Sequence, residues 1–390
     1  MRIAIDYTPA VRQGAGIGRL TRHLVRALVE LNAPHTYTLF VAGPLPAGST
    51  SLPPVYGERE GWSWPANVRL RATTIPERYL TILWHRLRLP LPAEHFVGPC
   101  DIFHSTDFVL PPVRRARTLL TVHDLTFLRF PNCADPGLRA YLSAVVPRSL
   151  ARAGHILADS QATKRDLVEL LAVAPERISV IYGGIEARFS PAGDVAEDAA
   201  TRRRYGLDRP YILSVSTLEP RKNYERLLRA FAALRQSAGL PHLLAIAGGK
   251  GWLYEGIFAE AERLKLGDAV RFLGFVPDAH LPALYRGADL FAFPSLYEGF
   301  GFPPLEAMAC GCPVVCSNTS SLPEIVGDAA LLVSPTDEEE LAEALRLALT
   351  DGARRQAMIA AGRRQAAGFT WQASARQLLV EYERLGAGLG

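Results

Sequence analysis

"GGIEARFSPAGDVAEDAATRRR", residues 183–204, interrupts an otherwise regular alternation of apolar runs and amphipathic patterns. Its glycines, proline and charges mark a linker, centred on 186–203. Upstream, "RIAIDY" (2–7), "TYTLFVA" (36–42), "DIFHS" (101–105), "TLLTVHD" (118–124), "HILADS" (155–160) and "ISVIYGG" (178–184) have the apolar character of strands buried on both faces. Downstream, "PYILSVS" (210–216), "HLLAIAGG" (242–249), "VRFLGFV" (270–276), "DLFAFPS" (289–295), "CPVVCS" (312–317) and "AALLVSP" (329–335) start the pattern again. Helical patterns lie between several strands. One of them, "IGRLTRHLVRALVEL" (17–31), sets Leu20, Leu24, Ala27, Leu28 and Leu31 on one stripe. The alternation on both sides of the linker predicts an α/β protein of two doubly wound domains. The domains are expected at 1–188 and 189–368. The last segment, 369–390, carries a helical pattern at 371–385 and either caps the second domain or crosses back to the first.

Composition narrows the class. A chain of 390 residues is long for one core, and 48% hydrophobic with 21% charged residues excludes a disordered or fibrous protein. A net charge of +4 suits an anionic small ligand or an acidic membrane surface, not a nucleic-acid scaffold. Three of the five cysteines crowd into "CGCPVVC" without a second cluster, so they are expected to be small buried side chains in a reducing compartment. The start, "MRIAIDYTPA", has the pattern of a strand rather than of a signal peptide. No run approaches the roughly 18 apolar residues of a membrane span. A cytoplasmic protein is expected, with contact at the inner face of the membrane left open. Residues 78–95, with Arg78, Arg86 and Arg88 near Trp84, and "RRAR" (114–117) form either a lipid-seating face or a core helix and a solvated loop.

In a doubly wound sheet, ligands sit at the carboxyl ends of the strands. "VRQGAGIGR" follows the first strand; Gly14, Gly16 and Gly18 form either a flexible turn or a close approach to an anion or sugar. His123 and Asp124 end a strand, either as satisfied structural groups or as ligand contacts. Arg221 and Lys222, in "STLEPRKN", precede a helical pattern, where two cations oppose the helix dipole unless an anion joins them. A solvated basic turn is the other reading. In "EGFGFPPLE" (298–306), glycines free the backbone amides of Phe300, Gly301 and Phe302 ahead of a helix start marked by Pro303 and Pro304. Glu298 precedes that helix and Glu306 is expected in its first turn. Carboxylates offer only acceptors, which suits the vicinal hydroxyls of sugars and riboses.

These motifs, in this order along nearly the whole chain, resemble glycosyltransferase family 4, retaining enzymes of the GT-B architecture with two Rossmann-like domains facing a central cleft. "HDLTFLRFP" with "STLEPRKN" is most similar to bacterial mannosyltransferases of polysaccharide synthesis. The resemblance implies a nucleotide-sugar donor, GDP-mannose, and a glycan or polyprenyl-linked acceptor. It implies that Arg221 and Lys222 hold the diphosphate, and that Glu298 and the amides of Phe300, Gly301 and Phe302 hold the sugar. Glu306 would hold the ribose, and Val276 would lie beside the base. Gly16 and Gly18 would approach the diphosphate or acceptor, and His123 the sugar's far hydroxyl, with Asp124 and His123 positioning rather than attacking. The final segment would return to the first domain. The chain has no Asp-x-Asp, so a metal-bound diphosphate is not expected and no cofactor is implied. A hydrolysing nucleotide-sugar 2-epimerase on the same fold is the alternative activity, and a non-catalytic nucleotide-sugar binder the third.

Overall fold

A computed structural model describes residues 1–14, 16–45 and 63–388. Ala15 of the glycine stretch, the first part of 51–95 and the last two residues lie outside the described residues. The chain divides into two compact units. The first comprises Met1–Leu128, Pro136–Gly184 and Thr370–Gly390; the second comprises Arg129–Asp135 and Ile185–Phe369. The boundary expected at residue 188 therefore falls at Gly184, and seven residues of the first half belong to the second unit.

The first unit holds β1 (Arg2–Asp6), β2 (Thr36–Val41), β3 (Val68–Ala72), β4 (Ile102–Ser105), β5 (Arg117–Val122), β6 (His155–Ala158) and β7 (Ile178–Val180). They pair in parallel in the order β3-β2-β1-β4-β5-β6-β7. The second unit holds β8 (Tyr211–Val215), β9 (Leu243–Ala247), β10 (Val270–Gly274), β11 (Leu290–Phe293), β12 (Val314–Ser317) and β13 (Ala330–Val333). Their order is β10-β9-β8-β11-β12-β13, again all parallel. The fold class is thus two doubly wound α/β units. Strand order reverses between β1 and β4 and between β8 and β11, and the crevice beyond those strand ends is where such sheets take ligands.

Apolar continuity made the strands: β4, β6, β9, β11 and β12 are buried at every residue. Each sheet carries its own core, built around Phe103, Leu120 and Ile156 in the first unit and Phe231, Leu244 and Leu345 in the second. The helix Trp371–Gly386 belongs to the first unit, with Leu378 and Tyr382 fully buried. Its Trp371 stacks on His23 of the helix Gly16–Glu30 at 5.3 Å between ring centroids.

Two expectations change, and of the two readings of 78–95 the core helix is the one that Trp84 fits. The proposed linker is partly folded: Val195–Arg204 is a helix, capped by Asp194, whose Asp198 pairs with Arg286 at 2.5 Å. Gly16 and Gly18 do not form a loop but open the helix Gly16–Glu30. A Cβ on Gly18 would lie 2.0 Å from the Gln13 carbonyl oxygen, so this glycine lets the backbone of the short helix Thr8–Arg12 and its exit pack close by. Trp84 turns inward: its ring meets Phe96 at 5.8 Å and its Nε1 donates to the Leu91 carbonyl at 2.9 Å. The end of 78–95 adjoins 114–117: the Ala93 amide donates to the Pro112 carbonyl at 2.8 Å, and Glu94 Oε1 accepts from the amides of Arg114 (2.9 Å) and Arg115 (2.8 Å). Among the described residues, no helix is long and apolar enough to cross a membrane.

Candidate active site

In the second unit the loops after β8 and β11 meet at the reversal of strand order. After β8 the chain makes a single 3-10 turn, Pro220–Lys222, and Asn223 then takes a left-handed conformation (φ 61°) before the helix Tyr224–Ala238. Asparagine tolerates that region better than most residues. Its Nδ2 donates to the carbonyls of Pro294 (2.9 Å) and Pro335 (2.7 Å), binding this turn to the segments after β11 and β13. The turn thereby aims Arg221 and Lys222 at one carboxylate.

Glu298 receives both cations. Lys222 Nζ donates to its Oε1 at 2.7 Å and Arg221 Nη1 to its Oε2 at 2.9 Å. Arg221 Nη1 also donates to the Tyr297 carbonyl (2.7 Å), and Nη2 to Glu219 Oε1 (2.6 Å). Burial alone would raise the Glu298 carboxyl; Lys222 and Arg221 more than offset it and hold the group down at about 2. Lys222 is itself lowered, by burial and by Arg221, against the pull of Glu298. Two carboxylates and two cations sum to zero, so the site is a neutral buried network rather than an open basic patch. Glu219, only 2% exposed, is the member that sequence reading missed, although it stands two residues before Arg221.

The glycine–phenylalanine run serves the backbone. Gly301 has φ 126°, a conformation L side chains rarely adopt, and turns the chain into the helix Phe302–Ala309. Ser320 Oγ accepts from the Glu298 amide at 2.9 Å, while Ser321 Oγ donates to the Glu298 carbonyl at 3.0 Å and to that of Phe300. Phe300 is buried against Phe302 and Phe369. Glu306 lies beyond the first turn, contrary to the expectation, and accepts from the buried Tyr285 hydroxyl at 2.9 Å. Val276 is buried just past β10, two strands from β8. Cys310, Cys312 and Cys316 are buried thiols, the first pushed up to about 12 by burial.

In the first unit His123 follows β5 and is 4% exposed. Its Nδ1 lies 2.7 Å from Asp159 Oδ2 and its Nε2 2.8 Å from the Thr106 carbonyl oxygen. Both ring nitrogens are thus taken by protein acceptors. Asp124 Oδ1 accepts from the Thr126 amide at 2.8 Å at the start of the helix Thr126–Arg129. Asp107, after β4, accepts from Gln13 Nε2 at 2.8 Å, and Asp6, at the end of β1, accepts from the Thr8 amide at 3.0 Å. Neither Asp107 nor Asp159 carried a sequence signal beyond standing after a strand.

Residues 198–365 match the family described as "Glycosyl transferases group 1", and residues 14–189 match "Glycosyltransferase Family 4". The chain is 35% identical over 285 residues to O-antigen chain mannosyltransferase B of Escherichia coli, covering 73% of this chain and 74% of that one. It is 34% identical over 391 residues to the serotype-specific mannosyltransferase WbdA of E. coli, covering 95% of this chain but 46% of that longer protein. Among solved structures, sucrose-phosphate synthase from Thermosynechococcus elongatus aligns over 100% of both chains with a TM-score of 0.77 at 22% identity, a likeness of fold.

Proposed function

The chain belongs to glycosyltransferase family 4, and we propose that it transfers mannose, with retention, from GDP-mannose to a glycan or polyprenyl-linked glycan without a metal ion. One observation carries the reading: Arg221 and Lys222 converge on Glu298 beyond β8 and β11, where a parallel sheet takes its ligand. The mannosyltransferase relatives support the sugar. They do not favour the epimerase.

The neutral network dictates how a donor enters. A diphosphate takes over Arg221 and Lys222, which releases Glu298 to accept hydroxyls of the hexose. The cations and the amides of Phe300, Gly301 and Phe302 near the helix start then neutralise the departing diphosphate. Glu306 accepts from the ribose, and Val276 lies against the base. The acceptor oxygen bonds to the anomeric carbon from the face the diphosphate leaves, and its proton passes to the departing phosphate oxygen. The products are the mannosylated acceptor and GDP. Asp124 orients the acceptor side, and Gly16, with open space around its missing Cβ, admits close approach of a ligand.

The test is product analysis with GDP-mannose, UDP-glucose and a polyprenyl-linked acceptor, with and without excess EDTA. Retained-configuration mannosyl product in both conditions is expected. Loss of turnover in EDTA restored by manganese would refute metal independence, and free 2-epimer formed without acceptor would replace the reading.

A membrane surface on the first unit is the second part of the proposal. Tyr79, Leu87 and Leu89 are 47%, 61% and 43% exposed and interleave with exposed Arg78, Arg86 and Arg88. Apolar side chains beside arginines suit an anionic bilayer. Leu87→Asp with Leu89→Asp should abolish co-sedimentation with anionic vesicles while leaving GDP binding unchanged. Equal sedimentation of the variant would remove the idea.

A further inference from the structure

His123 faces only acceptors. Its Nδ1 contacts a carboxylate oxygen and its Nε2 a backbone carbonyl oxygen, at 2.7 and 2.8 Å. A neutral imidazole has one N–H and one lone pair. In either neutral tautomer, then, one contact would set lone pair against lone pair, unless the proton sat on Asp159 instead. We infer that His123 is an imidazolium in the resting protein, and that Asp159 is a positioning residue that keeps it charged and so fixes the ligand-facing edge of the first sheet.

The placement of the proton follows from the neighbours. Asp159 follows β6 and Asp107 follows β4; burial raises both carboxyls, and a cation at His123 is the first influence that pulls each back down. The other histidine on this face, His104 of β4, is driven down to about 3, by burial first and then by His123. It adds no second charge. Burial pulls His123 down as well, but Asp159 above all, with Asp107 and the Thr106 carbonyl, reverses this and raises it to about 9. Imidazole is also the more basic partner of a carboxylate by more than two units in water.

The cation is a cross-link. Its ring ties Thr106, which follows β4, to Asp159, which follows β6, while its own carbonyl accepts from Thr163 Oγ1 at 3.1 Å. Thr106 Oγ1 in turn donates to the carbonyl of Asp6 at 2.6 Å, so the ends of β1, β4, β5 and β6 are joined. Asp107 and Asp124, adjacent in sequence to these anchors, inherit their positions. Charge-assisted hydrogen bonds are roughly twice as strong as neutral ones, which suits an edge that must hold its shape. In the resting protein both ring nitrogens are held by protein acceptors, so the histidine acts there through placement and charge. The consequence for turnover rests on the mannosyltransfer reading; the protonation state does not.

Histidine-selective 15N NMR of the full chain separates the two. The sequence has nine histidines, and a His123→Gln spectrum assigns the signal. In the wild type both ring nitrogens should keep imidazolium shifts up to pH 8, with a midpoint near 9. In Asp159→Asn the amide can donate to Nδ1, so His123 should be neutral at pH 7 with its N–H on Nε2. The alkaline limb of kcat/KM should move down with the midpoint to below pH 7, a shift that a purely structural loss would not produce. A neutral wild-type His123 at pH 7, or a protonated Asp159 carboxyl in the infrared spectrum, would overturn the inference. So would an unchanged midpoint in Asp159→Asn. If the shifts are as expected and no mannosyl transfer occurs, the inference stands and the proposed activity falls.

Discussion

Glu298 carries two cations, and that fact governs what its neighbours can do. Removing one partner of a buried ion pair leaves an uncompensated charge and costs about 3–5 kcal/mol. Lys222→Ala should therefore lower thermal stability as well as weaken GDP binding, whereas Glu298→Gln with Lys222→Ala should recover part of the stability. A double-mutant cycle by calorimetry measures the coupling, and independent, additive losses would contradict the network. Glu298→Gln and Glu306→Gln should also separate by ligand: Glu306→Gln weakens free GDP, and Glu298→Gln spares GDP but lowers transfer. Equal losses for GDP and GDP-mannose in both variants would end that division. The depressed Glu298 carboxyl fixes a sign with pH. Its contribution is complete above the ordinary carboxyl value near 4.3 and vanishes as pH falls through about 2. Acid unfolding of the second unit should start in that window and be shallower in Glu298→Gln.

At the scale of elements, the paired glycines of the helix Gly16–Glu30 make a sharp contrast. Gly18→Ala puts a methyl 2.0 Å from the Gln13 carbonyl oxygen and 2.6 Å from that of Pro9, backbone atoms that can yield only if the two helices part. A loss of about 1–3 kcal/mol is expected. Gly16→Ala meets nothing within 4 Å and should be neutral or stabilising by up to about 1 kcal/mol. Denaturant titration of both variants checks the pair. Strands were legible where burial on both faces left an uninterrupted apolar run. β3, "VRLRA", was not, because it is an edge strand whose arginines stay in water. The helix Val195–Arg204 was misread as linker since it has no apolar stripe. Its Asp194 cap, early Glu197 and Asp198, and closing Arg202–Arg204 nevertheless match the helix dipole and could have revealed it. Arg221, Lys222, Glu298 and His123 were legible from their position after strands. Glu219 and Asp159 were not, because what makes them matter is a partner at the end of a short turn or on another strand, and spacing alone does not select it.

At the scale of the molecule, the chain leaves the first unit at Gly184 and returns to it at Thr370, so segments on both sides of the second unit complete the first. The returning helix is part of its core. Tyr382 is fully buried and its hydroxyl lies 2.7 Å from His104 Nδ1, Leu378 is fully buried, and Ser374 Oγ donates to the Tyr182 carbonyl at 2.6 Å. Deleting one buried aromatic side chain costs about 3–5 kcal/mol, and a domain is stable by only about 5–15. Ending the chain after Phe369 should therefore unfold the first unit and spare the second, whose apolar cluster around Phe231, Leu244 and Leu345 contains no residue of 370–388. Calorimetry should show loss of one transition and survival of another, and the survivor should still rise with GDP. At about 100 times its dissociation constant, a ligand adds roughly 2.7 kcal/mol. Tyr382→Phe offers a milder version: it strips the partner from His104 Nδ1 and should cost about 1–3 kcal/mol in the first unit alone. If truncation removed the GDP-sensitive transition together with the other, the second unit would not fold independently and the two cores would have to form as one.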